Sequence, residues 1–135
     1  MNTLTIIVPC FNEADVLVDF ISTVNLQTHE LPLIKKYLLI NDGSTDDTLD
    51  IMKNLSETFD NIFYLSFSRN FGKEAAIFAA LEASDGAFVT IMAADLQDPP
   101  SMLSKMYDLI KKDGYDQVGT RRVSRLGEPP IRSFF

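Results

Sequence analysis

"LTIIVPCFNEADVLVDFISTVNLQ", residues 4–27, changes its period halfway along. The first seven residues are a β-branched apolar run of strand length. From about residue 13 to 27, by contrast, Val16, Leu17, Phe20, Ile21 and Val24 recur at the spacing of one helix face. The stretch reads as a strand followed by a helix, and the pattern repeats. "KYLLIND" (36–42) precedes a helical period over about 45–58, with Leu49, Met52 and Leu55 on one face. "NIFYLSF" (61–67) precedes one over 73–83, and "AFVTIMA" (87–93) one over about 99–112. A last short strand is expected at "YDQVGT" (115–120). Strands alternating with helices, and apolar on both faces, predict an α/β domain built on a mainly parallel sheet flanked by helices.

Composition sets the outer limits. The chain has 135 residues, 46% hydrophobic and 23% charged, which suits one globular domain with a real core. No stretch approaches the roughly 20 apolar residues of a membrane span, and no basic leader precedes the first apolar run, so this part of the chain is expected to be soluble. One cysteine, Cys10, excludes an internal disulfide, and one histidine, His29, argues against a Cys/His zinc site. A metal would have to sit on oxygen. The net charge of -7 is unevenly spread: residues 1–120 carry 8 Lys and Arg against 18 Asp and Glu, whereas Arg121, Arg122, Arg125 and Arg132 face Glu128 alone in residues 121–135. The acidic body makes nucleic acid a poor partner. The basic tail suits phosphate or an anionic membrane surface, or is a solvated terminus. The expected division is therefore 1–120 and 121–135.

Open α/β sheets bind ligands beyond the carboxyl ends of their strands. Here those ends are "PCFNEAD", "NDGSTDD", "SRNFGKE" and "ADLQDPP", all polar. Each has a structural explanation of its own: Asn12 and Glu13 can start a helix, Gly43 can make a turn, Ser44, Thr45 or Asp46 can cap, and Asp98 ahead of Pro99 and Pro100 can cap the last helix. Their convergence on one edge of the sheet favours a site. The phosphate-loop, dinucleotide-turn and nucleophile-elbow patterns are missing. Carboxylates and amides at three strand ends, with Arg69 and Lys73 between them, suit a nucleotide whose diphosphate needs a divalent cation in an acidic pocket.

At this point the residues resemble a known family, the inverting family-two nucleotide-sugar glycosyltransferases of GT-A fold, and within it the polyprenyl-phosphate, dolichol-phosphate mannose synthase-like branch. "IIVPCFNE" resembles its V-P-x-[FY]-N-E, "LLINDGSTDDT" its [DN]-D-G-S-x-D-x-T, "SFSRNFGKEAAI" its S-R-N-x-G-K and "MAADLQDPP" its D-A-D-L-Q-D-P-P. "VGTRRVSRLGEPPIRSFF" resembles the branch's G-x-R-x-x-R-x-G-E segment, with the first part of a family member covered and the branch's amphipathic and transmembrane helices absent.

The resemblance implies a nucleoside pocket shaped by Pro9, Phe11 and Glu13, with Asp42 on the base and Ser44 and Asp46 supporting the loop. Arg69, Gly72 and Lys73 would border the nucleotide, as would Ala93 and Ala94. Asp95, helped by Gln97, would hold Mg²⁺ or Mn²⁺ on the diphosphate. Arg121, Arg122 and Arg125 would face the acceptor phosphate. Ala93 departs from the motif, which has an acid there. The implied reaction is inverting transfer of a hexose from a UDP- or GDP-sugar to a polyprenyl phosphate at the cytoplasmic face of a membrane. A sugar-hydroxyl acceptor and a catalytically impaired nucleotide-binding module stay open as alternatives, as does the oligomeric state.

Overall fold

The computed structural model describes residues 2–115 and, beyond them, the backbone of two short strands. Two compact units, Met1–Pro100 and Ser101–Phe135, divide the chain.

The first unit contains four strands and three helices: β1 (Thr3–Cys10), α1 (Leu17–Gln27), β2 (Ile34–Asn41), α2 (Thr48–Thr58), β3 (Ile62–Ser66), α3 (Lys73–Ala83) and β4 (Phe88–Ile91). The strands form one parallel sheet in the order β3-β2-β1-β4. The alternation of period in the sequence thus becomes a sheet of successive strand-helix-strand crossovers. β1 runs outward to β2 and β3, after which the chain returns to add β4 on the other side of β1. That reversal opens a crevice at the carboxyl ends of β1 and β4.

β1 and β2 are the apolar centre. Ile6, Ile7, Val8, Leu38, Leu39 and Ile40 are buried, and Leu17, Phe20, Ile21 and Val24 give α1 a buried stripe, each side chain worth about 1.5–3 kcal/mol of transfer free energy. The Tyr37 hydroxyl donates to Asn25 Oδ1 at 2.7 Å, so the one polar atom of that ring keeps a partner. α3 packs on β1 and β2 through small residues: Ala76 and Ala80 meet Ile7, Leu38 and Ile40. The edges are less covered than the sequence predicts. Phe63 on β3 and Val89 and Ile91 on β4 are exposed.

Two helices of this unit begin later than their periodicity suggests. α1 starts at Leu17 and α2 at Thr48, because the residues just ahead of them are bonded across to another loop. α3 begins at Lys73, as its sequence predicts.

The second unit contains α4 (Met102–Asp113) and a two-stranded antiparallel ladder, β5 (Arg121–Arg122) with β6 (Ile131–Arg132). α4 carries Lys111 and Lys112 in its last turn, where cations oppose the helix dipole, and ends on Gly114 in the left-handed region at φ 73°. Asp98 does not cap it. The helix starts at Met102 after Ser101, and the physical reason lies in the prolines: each disfavours the helical region for the residue before it, so Asp98 and Pro99 stay out of the helix. Residues 116–120 of the expected "YDQVGT" strand lie outside the described residues, and the expected boundary at 120/121 falls inside this unit. No helix among the described residues is long and apolar enough to cross a membrane.

Candidate functional site

All four strand ends of the first unit contribute to one cleft of about 220 Å³. Pro9, Cys10, Phe11 and Glu13 come from the end of β1, Asp42 from β2, Lys73 from the start of α3, and Ala93, Asp95 and Gln97 from the loop after β4.

The loops after β1 and β2 are cross-linked to each other. Asn12 takes the left-handed conformation at φ 54°, which an asparagine tolerates better than most side chains. Its Oδ1 accepts from the amides of Thr45 at 2.8 Å and Asp46 at 3.3 Å, and its own amide donates to Ser44 Oγ at 2.9 Å. The Glu13 amide donates to Thr48 Oγ1 at 2.9 Å and the Ala14 amide to Asp46 Oδ2 at 3.2 Å. Thr48, fully buried, donates a hydrogen bond from its own hydroxyl to Asp46 Oδ1. That hydroxyl, first among the causes, holds the Asp46 carboxyl below its ordinary value, with backbone amides adding to the effect and desolvation opposing it.

The loops after β2 and β3 are joined by Asp42, which accepts from the Phe71 amide at 2.8 Å and the Gly72 amide at 3.0 Å. Arg69 lies over the Phe71 ring at 4.7 Å, and Phe71 meets Phe67 edge to face. The loop after β4 is rooted by the Met92 amide, which donates to the Ile7 carbonyl at 2.9 Å, and is then held locally: the Leu96 amide donates to the Ala93 carbonyl at 3.1 Å, and Gln97 donates to Asp95 through its backbone at 3.3 Å and its side-chain amide at 2.9 Å. Leu96 sits at φ 59°, a strained conformation for a bulky residue.

The electrostatics are negative at one end of the cleft. Glu13 is raised above its ordinary carboxyl value by desolvation first, then by Asp95 and Asp46. Burial, with a smaller contribution from Glu13, pushes the Cys10 thiol up to about 12, so it is not a nucleophile at neutral pH. Among the described residues no three His, Cys, Asp or Glu side chains form a metal-binding group. Asp95 is an exposed carboxylate whose negative field reaches Glu13, and Gln97 beside it carries an amide oxygen. This donor set fits a hard divalent cation that completes its shell on diphosphate and water rather than on protein alone.

Of the residues singled out from the sequence, Pro9, Phe11, Glu13, Asp42, Lys73, Ala93, Asp95 and Gln97 come together in the cleft. Ser44, Asp46, Arg69 and Gly72 lie in the loops behind it. Ala94 is buried and does not line it. The side chains of Arg121, Arg122 and Arg125 lie outside the described residues. Sequence reasoning gave no role to Cys10 or Thr48 and saw in Asn12 only a helix start. The available signal was the place of Asn12 in V-P-x-[FY]-N-E and of Thr48 at the end of [DN]-D-G-S-x-D-x-T.

Residues 5–133 match the family model described as glycosyl transferase family 2. A Bacillus subtilis (strain 168) protein named as a glycosyltransferase, CsbB, is 40% identical over 96% of this chain and 39% of its own length. The undecaprenyl-phosphate 4-deoxy-4-formamido-L-arabinose transferase of Pseudomonas syringae pv. syringae (strain B728a) is 34% identical over 90% of this chain and 36% of its own. The chain thus spans less than two fifths of the length of these curated relatives. Among solved structures, the mannosyltransferase PcManGT from Pyrobaculum calidifontis in complex with GDP-Man and Mn²⁺ superposes with a TM-score of 0.69 at 23% identity, covering 92% of this chain and 36% of that one. The fold is the GT-A fold.

Proposed function

The chain belongs to glycosyl transferase family 2, and from that premise we propose that it is the nucleotide-sugar-binding part of an enzyme that moves a hexose from a UDP- or GDP-sugar to a polyprenyl phosphate, with inversion and with a divalent cation. The observation that carries the reading is the meeting of four strand ends in one cleft, aromatic and apolar at Phe11 and Pro9, cationic at Lys73 and anionic at Asp95 and Glu13.

The base would lie against Phe11 and Pro9, with Glu13 closing the pocket. The diphosphate would span the distance between Lys73 and Asp95. A bound Mg²⁺ or Mn²⁺ would neutralise the charge that develops on the departing nucleoside diphosphate. Asp95 and Gln97 would hold that ion, and Lys73 would balance the remaining phosphate charge. Displacement in line at the anomeric carbon by a phosphate oxygen inverts configuration in one step. A phosphate acceptor is already anionic and needs no general base, only positioning and charge balance, which Arg121, Arg122 and Arg125 would supply. An undecaprenyl-phosphate transferase among the relatives supports that acceptor class. A lipid acceptor and a basic carboxyl-terminal segment also support work at the cytoplasmic face of a membrane.

Calorimetry with UDP and GDP, with Mn²⁺ and with EDTA, tests the donor side; release of nucleoside diphosphate from UDP-glucose or GDP-mannose with and without undecaprenyl phosphate in detergent tests the acceptor. Tighter binding with Mn²⁺ and release stimulated by the lipid phosphate are expected. Equal affinity with EDTA removes the metal from the reading, and equal release without the lipid removes the acceptor.

A further inference from the structure

Four of the five residues 9–13 line the cleft: Pro9, Cys10, Phe11 and Glu13. An extended strand turns successive side chains to opposite faces and could not do this. The exception, Asn12, is where the chain turns, at φ 54°. Its side chain is bonded to the turn after β2 instead. Asn12 Oδ1 collects three donors there: Thr45 N–H at 2.8 Å, Asp46 N–H at 3.3 Å and the Thr45 hydroxyl at 3.3 Å. Asn12 N–H in turn donates to Ser44 Oγ at 2.9 Å. Ser44 N–H donates to Asn41 Oδ1 at 3.0 Å, and Asn41 Nδ2 to Ser66 Oγ at 3.0 Å. Asn41 is buried and ends β2, and Ser66 ends β3, so one line of bonds joins the Phe11 turn to the ends of two strands.

Asn12 is itself exposed, so the core does not depend on it. What its bonds fix is a position. Phe11, 46% exposed at the cleft, is placed by the backbone it stands on, and Asn12 and Glu13 are the next residues of that backbone. We propose that Asn12 is a positioning residue for the base of the nucleotide: its left-handed turn and the bonds it accepts set Phe11 and Glu13 in the cleft before a ligand arrives, so that binding of a planar ring does not also have to order the loop. This rests on the reading of the cleft as a nucleotide site.

The test separates base from phosphate and turn from bonds. Calorimetry with Mn²⁺ compares UDP and GDP with inorganic pyrophosphate, on the protein and on Asn12→Gly, Asn12→Ala and Phe11→Ala. Glycine keeps the left-handed turn and removes the acceptor; alanine loses both. Both Asn12 variants are expected to lose about tenfold in affinity for the nucleoside diphosphate that the parent binds and to leave pyrophosphate affinity unchanged. Asn12→Ala should also melt lower than Asn12→Gly, because alanine is strained at this φ. In a Phe11→Ala background Asn12→Gly should cost less than it does alone, since part of its effect passes through the ring. Hydrogen exchange at the Thr45 and Asp46 amides should quicken in both variants while β1 and β2 stay protected. If Asn12→Ala does not fold, Ser44→Ala, which removes the bond from Asn12 N–H, should shift nucleoside diphosphate affinity in the same direction as Asn12→Gly. Equal loss of nucleoside diphosphate and pyrophosphate affinity would show that the bonds shape the whole cleft and overturn the proposal. So would unchanged nucleoside diphosphate affinity in Asn12→Gly, or losses that simply add in the Phe11→Ala background. A parent protein that binds neither UDP nor GDP more tightly than pyrophosphate would overturn the nucleotide reading with it.

Discussion

The two walls of the cleft are built differently. On one, the loops after β1, β2 and β3 are tied together by bonds between residues far apart in sequence, through Asn12, Asp42, Asp46 and Thr48. On the other, Met92 ties the root of the loop to Ile7, and beyond it the bonds of Ala93, Asp95, Leu96 and Gln97 among the described residues reach only two or three residues. A preassembled wall suits a rigid ligand such as a nucleoside, whose recognition costs less if the pocket loses no entropy on binding. A locally held wall suits an ion, whose ligands must adjust to a small sphere. Disturbing the first wall should therefore be felt in stability, and disturbing the second in metal-dependent binding.

The largest effect expected is on the second wall. Asp95→Asn should abolish the gain in nucleotide affinity that Mn²⁺ gives, on the order of a hundredfold, with little change in melting temperature, since Asp95 is exposed and bonded only to Gln97 among the described residues. The converse change, Ala93→Asp, adds a carboxylate to the cleft lining and should strengthen Mn²⁺-dependent binding while weakening binding measured in EDTA. Calorimetry on both variants decides; a melting shift as large as the affinity shift would erase the contrast between the walls.

Next in size is Thr48→Val on the first wall. The valine keeps the shape and removes a buried hydroxyl that accepts from the Glu13 amide and donates to Asp46, leaving a polar group unpaired at a cost of about 1–3 kcal/mol. Urea denaturation should show the loss, with nucleotide affinity following only as far as Glu13 and Phe11 shift.

This asymmetry also governs what could be read from the sequence. The sheet and α3 were legible because burial writes a period, alternating runs for β1 and β2 and an apolar helix starting at Lys73. The starts of α1 and α2 were not, because the turns ahead of them are held from across, Asn12, Glu13 and Ala14 bonding with Ser44, Thr45, Asp46 and Thr48, and no local pattern announces a bond between Glu13 and Thr48. In the β4 loop Asp95 was visible as an acid at a strand end and Ala93 and Gln97 through the motif that contains them, and eight of all the residues named from the sequence share the cleft. Asp42 was visible as an acid at a strand end; that its oxygens turn to Phe71 and Gly72 depends on a loop nearly thirty residues away.

A smaller effect joins the walls through Glu13. Its folded value lies above the ordinary 4.5, from desolvation first and then from Asp95 and Asp46. The stability its protonated form lends is therefore present below about pH 4.5 and lost as pH rises through the folded value. Glu13→Gln, neutral throughout, should melt higher than the parent at pH 7 and no differently well below pH 4.5. Asp95→Asn should reproduce part of that gain by removing one of the three causes. A Glu13→Gln variant less stable at pH 7 would mean that the carboxylate makes a contact worth more than its desolvation.

The smallest effect concerns Asp98, three residues beyond Asp95 and chemically its twin. From sequence it has the place of a helix cap, ahead of two prolines, where replacement by alanine would cost about 0.5–2 kcal/mol. The structure moves the helix start to Met102, with Ser101 before it, so the Asp98 carboxylate is too far up the chain to reach the first free amides of α4. It is exposed, and it does not line the cleft. Asp98→Ala should accordingly change stability by less than about 0.5 kcal/mol, the range of an ordinary surface substitution, and leave Mn²⁺-dependent affinity unchanged. Denaturation and calorimetry on the same variant check both halves. A loss above about 1 kcal/mol would restore the cap and shift the start of α4 towards Pro99. A loss of metal-dependent affinity would instead give the second wall a carboxylate beyond Asp95, and the contrast drawn between the walls would then rest on too few residues.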